Sequence, residues 1–293
     1  MPVYDYTYRT WKGERRGPWF RWTAIPKFTY IEFFGKRVFI WLFTISWLQF
    51  VFRAGYVYLL FNVEFLSALN IPAAALPPVN AFFFKNMIDL QAPFCFLFAF
   101  LLGSGLVSRD LQHSAAVLYM SKPISCWEYF LGKFFTLFTV MMLVTWFQTT
   151  ALFLVQTVAA PEHSEWRLYF WTENSWLPGA IALYSAVVSA TLSLLILAAS
   201  SLTKNSRYAG TTFAVYLIGS TVAAGIVGGI FRNGNCLALS PVLCGGELGY
   251  YLFNLTEGRE MSQPAAWGGL FGVWILCAMI LYWRLKTAAR CGR

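Results

Sequence analysis

Residues 177–203 read LPGAIALYSAVVSATLSLLILAASSLT, with no charged side chain. As a helix this run is roughly 40 Å long, more than the about 30 Å hydrocarbon core of a bilayer. Five other runs have the same character, at 38–61, 90–108, 134–158, 209–231 and 265–283. The whole chain agrees with them. It is 58% hydrophobic, 19% aromatic and 12% charged, against about 25% charged for a soluble domain. A chain so poor in polar groups cannot cover its own surface, so lipid is its solvent. The expected fold is an all-α polytopic membrane protein with six transmembrane helices. Residues 38–285 form one transmembrane domain, between a cytoplasmic segment 1–37 and a basic tail 286–293.

Charge orients the spans. Arg9, Lys12, Arg15, Arg16, Arg21, Lys27, Lys36 and Arg37 crowd before the first span. Arg109, Lys122, Lys133, Lys204, Arg207 and the tail fall on the same side, and only Lys85, Arg167, Arg232 and Arg259 fall on the other. Lys and Arg mark cytoplasmic loops, so both termini are expected inside, in a bacterial inner (plasma) membrane. The net charge of +9 follows from this orientation, which removes the case for nucleic acid. A seventh apolar stretch, 237–255, contains Pro241, Gly245, Gly246 and Glu247. If it crossed, the basic tail would lie outside, so it is expected to dip in and return, or to lie on the outer surface. Residues 19–36, WFRWTAIPKFTYIEFFGK, interleave aromatic and basic residues. They predict an interfacial helix bent or interrupted by Pro26; the alternative is an irregular tail with aromatic anchors.

Several chemistries are missing. No GxxxxGK[ST] occurs, so no phosphate-binding loop is recognisable. His113 and His163 fall in loops on opposite sides, a poor arrangement for haem or metal. No Asp or Glu lies within the six spans as drawn, and Arg53 is their one charged residue. Arg53 either snorkels toward outer headgroups, near Glu64, or lines a translocation path. Gly225 and Gly229 form a GxxxG, a face for close helix packing within the monomer or across a dimer. Cys236 and Cys244 share the outer segment, where an oxidising compartment would allow a disulfide; two lipid-protected free thiols are the alternative.

Between the second and third spans runs VSRDLQHSAAVLYMSKPISCWEYFLGK, residues 107–133. Asp110, the small pair Ser114-Ala115, an apolar run to Met120, Pro123, Ser125, Glu128 and Gly132-Lys133 follow one another. In this order they resemble the cytoplasmic loop of type-2 ATP-binding-cassette (ABC) exporter permeases. Six spans, a basic N-terminal segment and a dipping element before the last span also agree. Ser114-Ala115, where Gly-Thr is common, and the high aromatic content depart from the pattern. The resemblance implies a permease subunit without ATPase chemistry, working as a homodimer or pseudo-dimer with two copies of a separate ATPase subunit that carries ATP and Mg. A coupling helix in loop 109–133 would dock on that subunit, through Asp110, Ala115, Leu118, Tyr119, Met120, Lys122, Pro123 and Glu128. By the same resemblance, 237–255 would be a re-entrant outer gate. The alternative of a different class is a structural or assembly subunit of a membrane complex, without transport.

Overall fold

A computed structural model describes residues 22–61, 76–113, 125–159 and 174–290. Eight helices carry the fold: α1 (Ala24–Phe34), α2 (Arg37–Phe61), α3 (Ala81–Gln112), α4 (Cys126–Val158), α5 (Leu177–Leu202), α6 (Ser206–Phe231), α7 (Pro241–Leu252) and α8 (Gln263–Arg290). Six of them, α2 to α6 and α8, are long and apolar enough to cross a membrane. The protein is an all-α polytopic membrane protein. α7 is a short helix of 12 residues, roughly 18 Å long, so 237–255 contains no helix of spanning length.

The central helix is α5, whose most apolar window is 67% buried, against 11% for α2. Its small residues allow this. Ser185, Ser189, Ser193, Ala198, Ala199 and Ser200 are all buried, and small side chains let α3, α4, α6 and α8 approach closely. The peripheral helices turn Trp41, Phe52, Val215 and Ile230 outward, each about 70% exposed. An apolar exterior over a packed interior is the reverse of a soluble domain and suits a hydrocarbon solvent.

Two helices start earlier than expected. The span drawn at 90–108 is the middle of α3, which begins at Ala81. Asn80 caps it, its side chain accepting from the Phe83 amide. Lys85 and Asp89, each of which breaks an apolar count, neutralise one another at i,i+4 (2.7 Å). A cation and an acid therefore lie within this helix, correcting the expectation that Arg53 stands alone and that no acid lies in a span. The span drawn at 134–158 likewise extends back to Cys126, so Glu128 and Lys133 are helical. At the end of the chain, α8 continues unbroken to Arg290, so the basic tail begins as helix. Pro26 sits in the first turn of α1, where it starts the helix instead of bending it.

α3 and α4 each contain one π-helical turn, Ala99–Gly103 and Leu143–Phe147. A π turn displaces the backbone hydrogen-bond register. Near that in α3, Ser200 of α5 supplies a local substitute, accepting from the Val107 and Ser108 amides (3.2 and 2.9 Å) and donating to the Ser104 carbonyl.

Candidate functional site: the base of the 109–133 loop

Loop 109–133 leaves the C-terminus of α3 and re-enters at the N-terminus of α4. Ser125 and Glu128 form a reciprocal capping box there: the Glu128 amide donates to Ser125 Oγ (3.2 Å), and the Ser125 amide donates to Glu128 Oε2 (2.6 Å). One turn further, Tyr129 Oη donates to Asp110 Oδ2 (2.6 Å) and Lys133 Nζ pairs with the same oxygen (2.9 Å). Asp110 and Lys133 are mostly buried, with side chains 17% and 8% exposed. The two ends of the loop are thus stapled by a charge-assisted triad in a water-poor position, where such bonds are strong.

Gly132 and Lys133, the GK of the sequence, have separate tasks. A Cβ on Gly132 would lie 2.9 Å from Ile25 and 3.1 Å from the Trp22 carbonyl. Glycine therefore lets α1 pack across the start of α4. The contacting stripe of α1 is Ile25, Thr29 and Phe33, spaced four apart and all buried. Tyr30 adds a bond from its hydroxyl to the Phe135 carbonyl (3.3 Å). α1 is therefore clamped to the bundle along one stripe, with Phe28, Ile31 and Phe34 left outward. On its polar side Glu32 accepts from Lys36 (2.7 Å) and lies 3.7 Å from Arg109. The bond from Lys36 holds the Glu32 carboxyl below its ordinary range, burial opposing. The same end of the bundle is closed by Arg284, whose guanidinium donates to the Ser201 and Leu202 carbonyls at the C-terminus of α5.

Of the residues expected to contact a partner, Asp110 and Glu128 are described, and both also bond within the chain, one in the triad and one in the capping box. Ala115, Leu118, Tyr119, Met120, Lys122 and Pro123 lie outside the described residues. Tyr129, Lys133 and Glu32 complete the base. Their signal was in the sequence only as spacing: the acid, aromatic and cation meet once α3 and α4 are set antiparallel.

The remaining candidates separate. Arg53 donates to the Phe83 carbonyl (3.1 Å) and Asn86 Oδ1 (2.6 Å), and its guanidinium lies over the Phe83 ring. It ties α2 to α3. Gly225 and Gly229 have nothing within 4 Å of a built Cβ, whereas a Cβ on Gly228 would meet Leu237. Among the described residues the GxxxG therefore packs against no other helix. Cys236 and Cys244 are free, which overturns the disulfide. Cys244 is turned into the α7–α8 packing, with its thiol directed at the Ala238 carbonyl (3.5 Å).

A second polar locus was hidden by the late start assigned to the second span. At the opposite end of α3, Asp89 binds both Lys85 and the Tyr184 hydroxyl of α5. Lys85 Nζ lies 3.9 Å over the Tyr250 ring of α7. A Cβ on Gly249 would fall 2.8 Å from Tyr184 and 2.9 Å from Lys85, so glycine admits α7 to this junction. Between the two ends, the Gln91 and Gln148 amides meet at 2.6 Å beside Ser46, joining α2, α3 and α4. Buried polar atoms of Gln49, Thr149, Gln156, Ser185 and Ser189 have no hydrogen-bond partner among the described residues. They lie on the same helices and on α5.

No protein-family model matches the chain, and no curated protein sequence matches it.

Proposed function

We propose that this protein is the membrane-spanning permease subunit of an ATP-driven ABC transporter, acting as an exporter and coupled through the 109–133 loop to a separate ATPase subunit. One observation carries the reading: the loop rises from a base in which Asp110, Tyr129 and Lys133 lock the end of α3 to the start of α4. A loop that passes force from a soluble motor to a helix bundle needs such a footing, because a compliant base would absorb the displacement. The apolar run around Leu118 and Met120 is the part that would fill a groove on the motor. ATP and Mg belong to that partner. Two permeases act together as a homodimer or pseudo-dimer, and the outward Gly225–Gly229 face of α6 is available for their contact. The buried polar atoms of α2 to α5 further support a transport role, because polar groups at membrane depth are expensive and mark pathways.

The test is co-purification. Leu118→Asp and Met120→Asp should each release a Walker-motif ATPase subunit encoded beside this chain, while the permease stays inserted. Retention of that subunit and undiminished ATPase stimulation in both variants would refute the coupling role and leave an assembly subunit as the better description.

A further inference from the structure

A half-open cavity of about 190 Å³ lies between α1 and α3, beside the loop base. One water needs about 10–15 Å³ of such space, so the cavity holds a group much larger than a water. Its wall changes character along α3. Leu101 and Leu102 of the π turn and Leu106 line one stretch of it, and Arg109 the next turn. That change from aliphatic to cationic runs over eight residues, roughly 12 Å of helix. α1 repeats the mixture across the cavity, with Phe28 apolar and Glu32 and Lys36 charged. Phe28 and Leu101 are also exposed on the outer, apolar surface of the bundle. The cavity therefore opens toward the region that lipid occupies.

We propose that this cavity binds the headgroup of an anionic phospholipid, with the phosphate between Lys36 and Arg109 and an acyl chain along Phe28 and Leu101. Charge decides the class of headgroup. Asp110 and Lys133, which also line the cavity, are committed to each other. Lys36, Arg109 and Glu32 remain, an excess of one positive charge. Arg109 approaches Glu32 only at 3.7 Å, beyond good hydrogen-bond length, and both side chains are 56% exposed. Its guanidinium is free to turn and take a phosphate bidentately, the geometry it satisfies best. A free anion would need only the charged residues; the aliphatic stretch beside them, continuous with exposed Phe28 and Leu101, selects a lipid. Basic pockets between membrane helices bind anionic headgroups by this combination. The inference concerns the isolated chain and does not rest on the transport reading.

Native mass spectrometry of the full-length protein in detergent tests it, with phosphatidylglycerol, phosphatidylcholine and glycerol 3-phosphate added in turn. Phosphatidylglycerol should be retained roughly tenfold better than phosphatidylcholine, as expected for one or two charge-assisted bonds. The double substitution Lys36→Gln and Arg109→Gln should abolish that preference. Glu32→Gln should strengthen it, because the competing carboxylate is gone; a merely structural Glu32 would give a loss. Lys36 and Arg109 are exposed, so the double variant should melt within a few degrees of the parent, and a variant that does not is replaced by Arg109→Lys, which should reduce the preference partially. Equal retention of the two lipids, or an unchanged preference in a folded double variant, would overturn the proposal. Displacement of bound lipid by glycerol 3-phosphate would overturn the lipid and leave a free phosphate ester as the ligand.

Discussion

Asp110 shows how much one carboxylate can organise. It accepts from Tyr129 and Lys133 on a single oxygen, and both partners come from the helix across the loop. Removing its charge leaves Lys133 buried without an opposite. Breaking a buried pair from one side costs about 3–5 kcal/mol, and the 17% exposure of Asp110 places this case at the low end. Asp110→Asn should therefore lower the thermal midpoint in detergent markedly. Adding Lys133→Met should recover much of the loss, since an apolar replacement of both partners strands no charge. A double variant as unstable as the single would show that the triad is not the source of the stability. Lys85 and Asp89 teach the same lesson from the sequence side. Counted singly they end an apolar run, but four residues apart on a helix they form one neutral unit.

At the scale of elements, neighbouring glycines on α8 have opposite roles. A Cβ on Gly268 meets nothing within 4 Å, while one on Gly269 would lie 2.6 Å from the Ala238 carbonyl and 2.9 Å from the Cys244 sulfur. A carbonyl held in the 3-10 turn Gly234–Leu239 cannot rotate away as a side chain could. Gly269→Ala should destabilise by about 1–3 kcal/mol through overpacking, whereas Gly268→Ala should be neutral or stabilising by up to about 1 kcal/mol through helix propensity. Thermal melts of the two variants, made side by side, check the assignment; equal effects would contradict it. The amino-acid pair GG is silent about this difference. Only the direction in which each Cα points separates them.

For the whole molecule, the alternating helices bring α1, the 109–133 loop base and the C-terminal part of α8 to one end. Arg284 of α8 capping α5, and Gly132 of α4 admitting α1, are the contacts that show it. α7 and its flanks close the other end, with Tyr251 bonded to the Met261 carbonyl and Ser262 to Asn235. In a cysteine-free background, Asn233→Cys and Glu257→Cys should therefore label from the same side of the membrane, opposite to a cysteine placed at Thr287. Labelling of the first two from opposite sides would make α7 a crossing and overturn the six-helix topology.

The all-α class, the six long helices and most of their ends were readable in the chain, because lipid solvation depends on the local sum of apolar side chains. Residues 177–202 state that sum outright. The shortness of α7 was readable too, from Pro241 and the glycines that follow. Tertiary structure decided everything that depends on which side chain meets which. It moved the start of α3 back over Lys85 and Asp89, buried Asp110 against Lys133, left Cys244 free against α8, and aimed Gly225 and Gly229 away from the other described helices. The physical reason is the range of the interactions. Transfer to hydrocarbon is summed residue by residue along the chain, while a charge pair, a close approach or a disulfide exists only where packing brings two distant groups within a few ångströms.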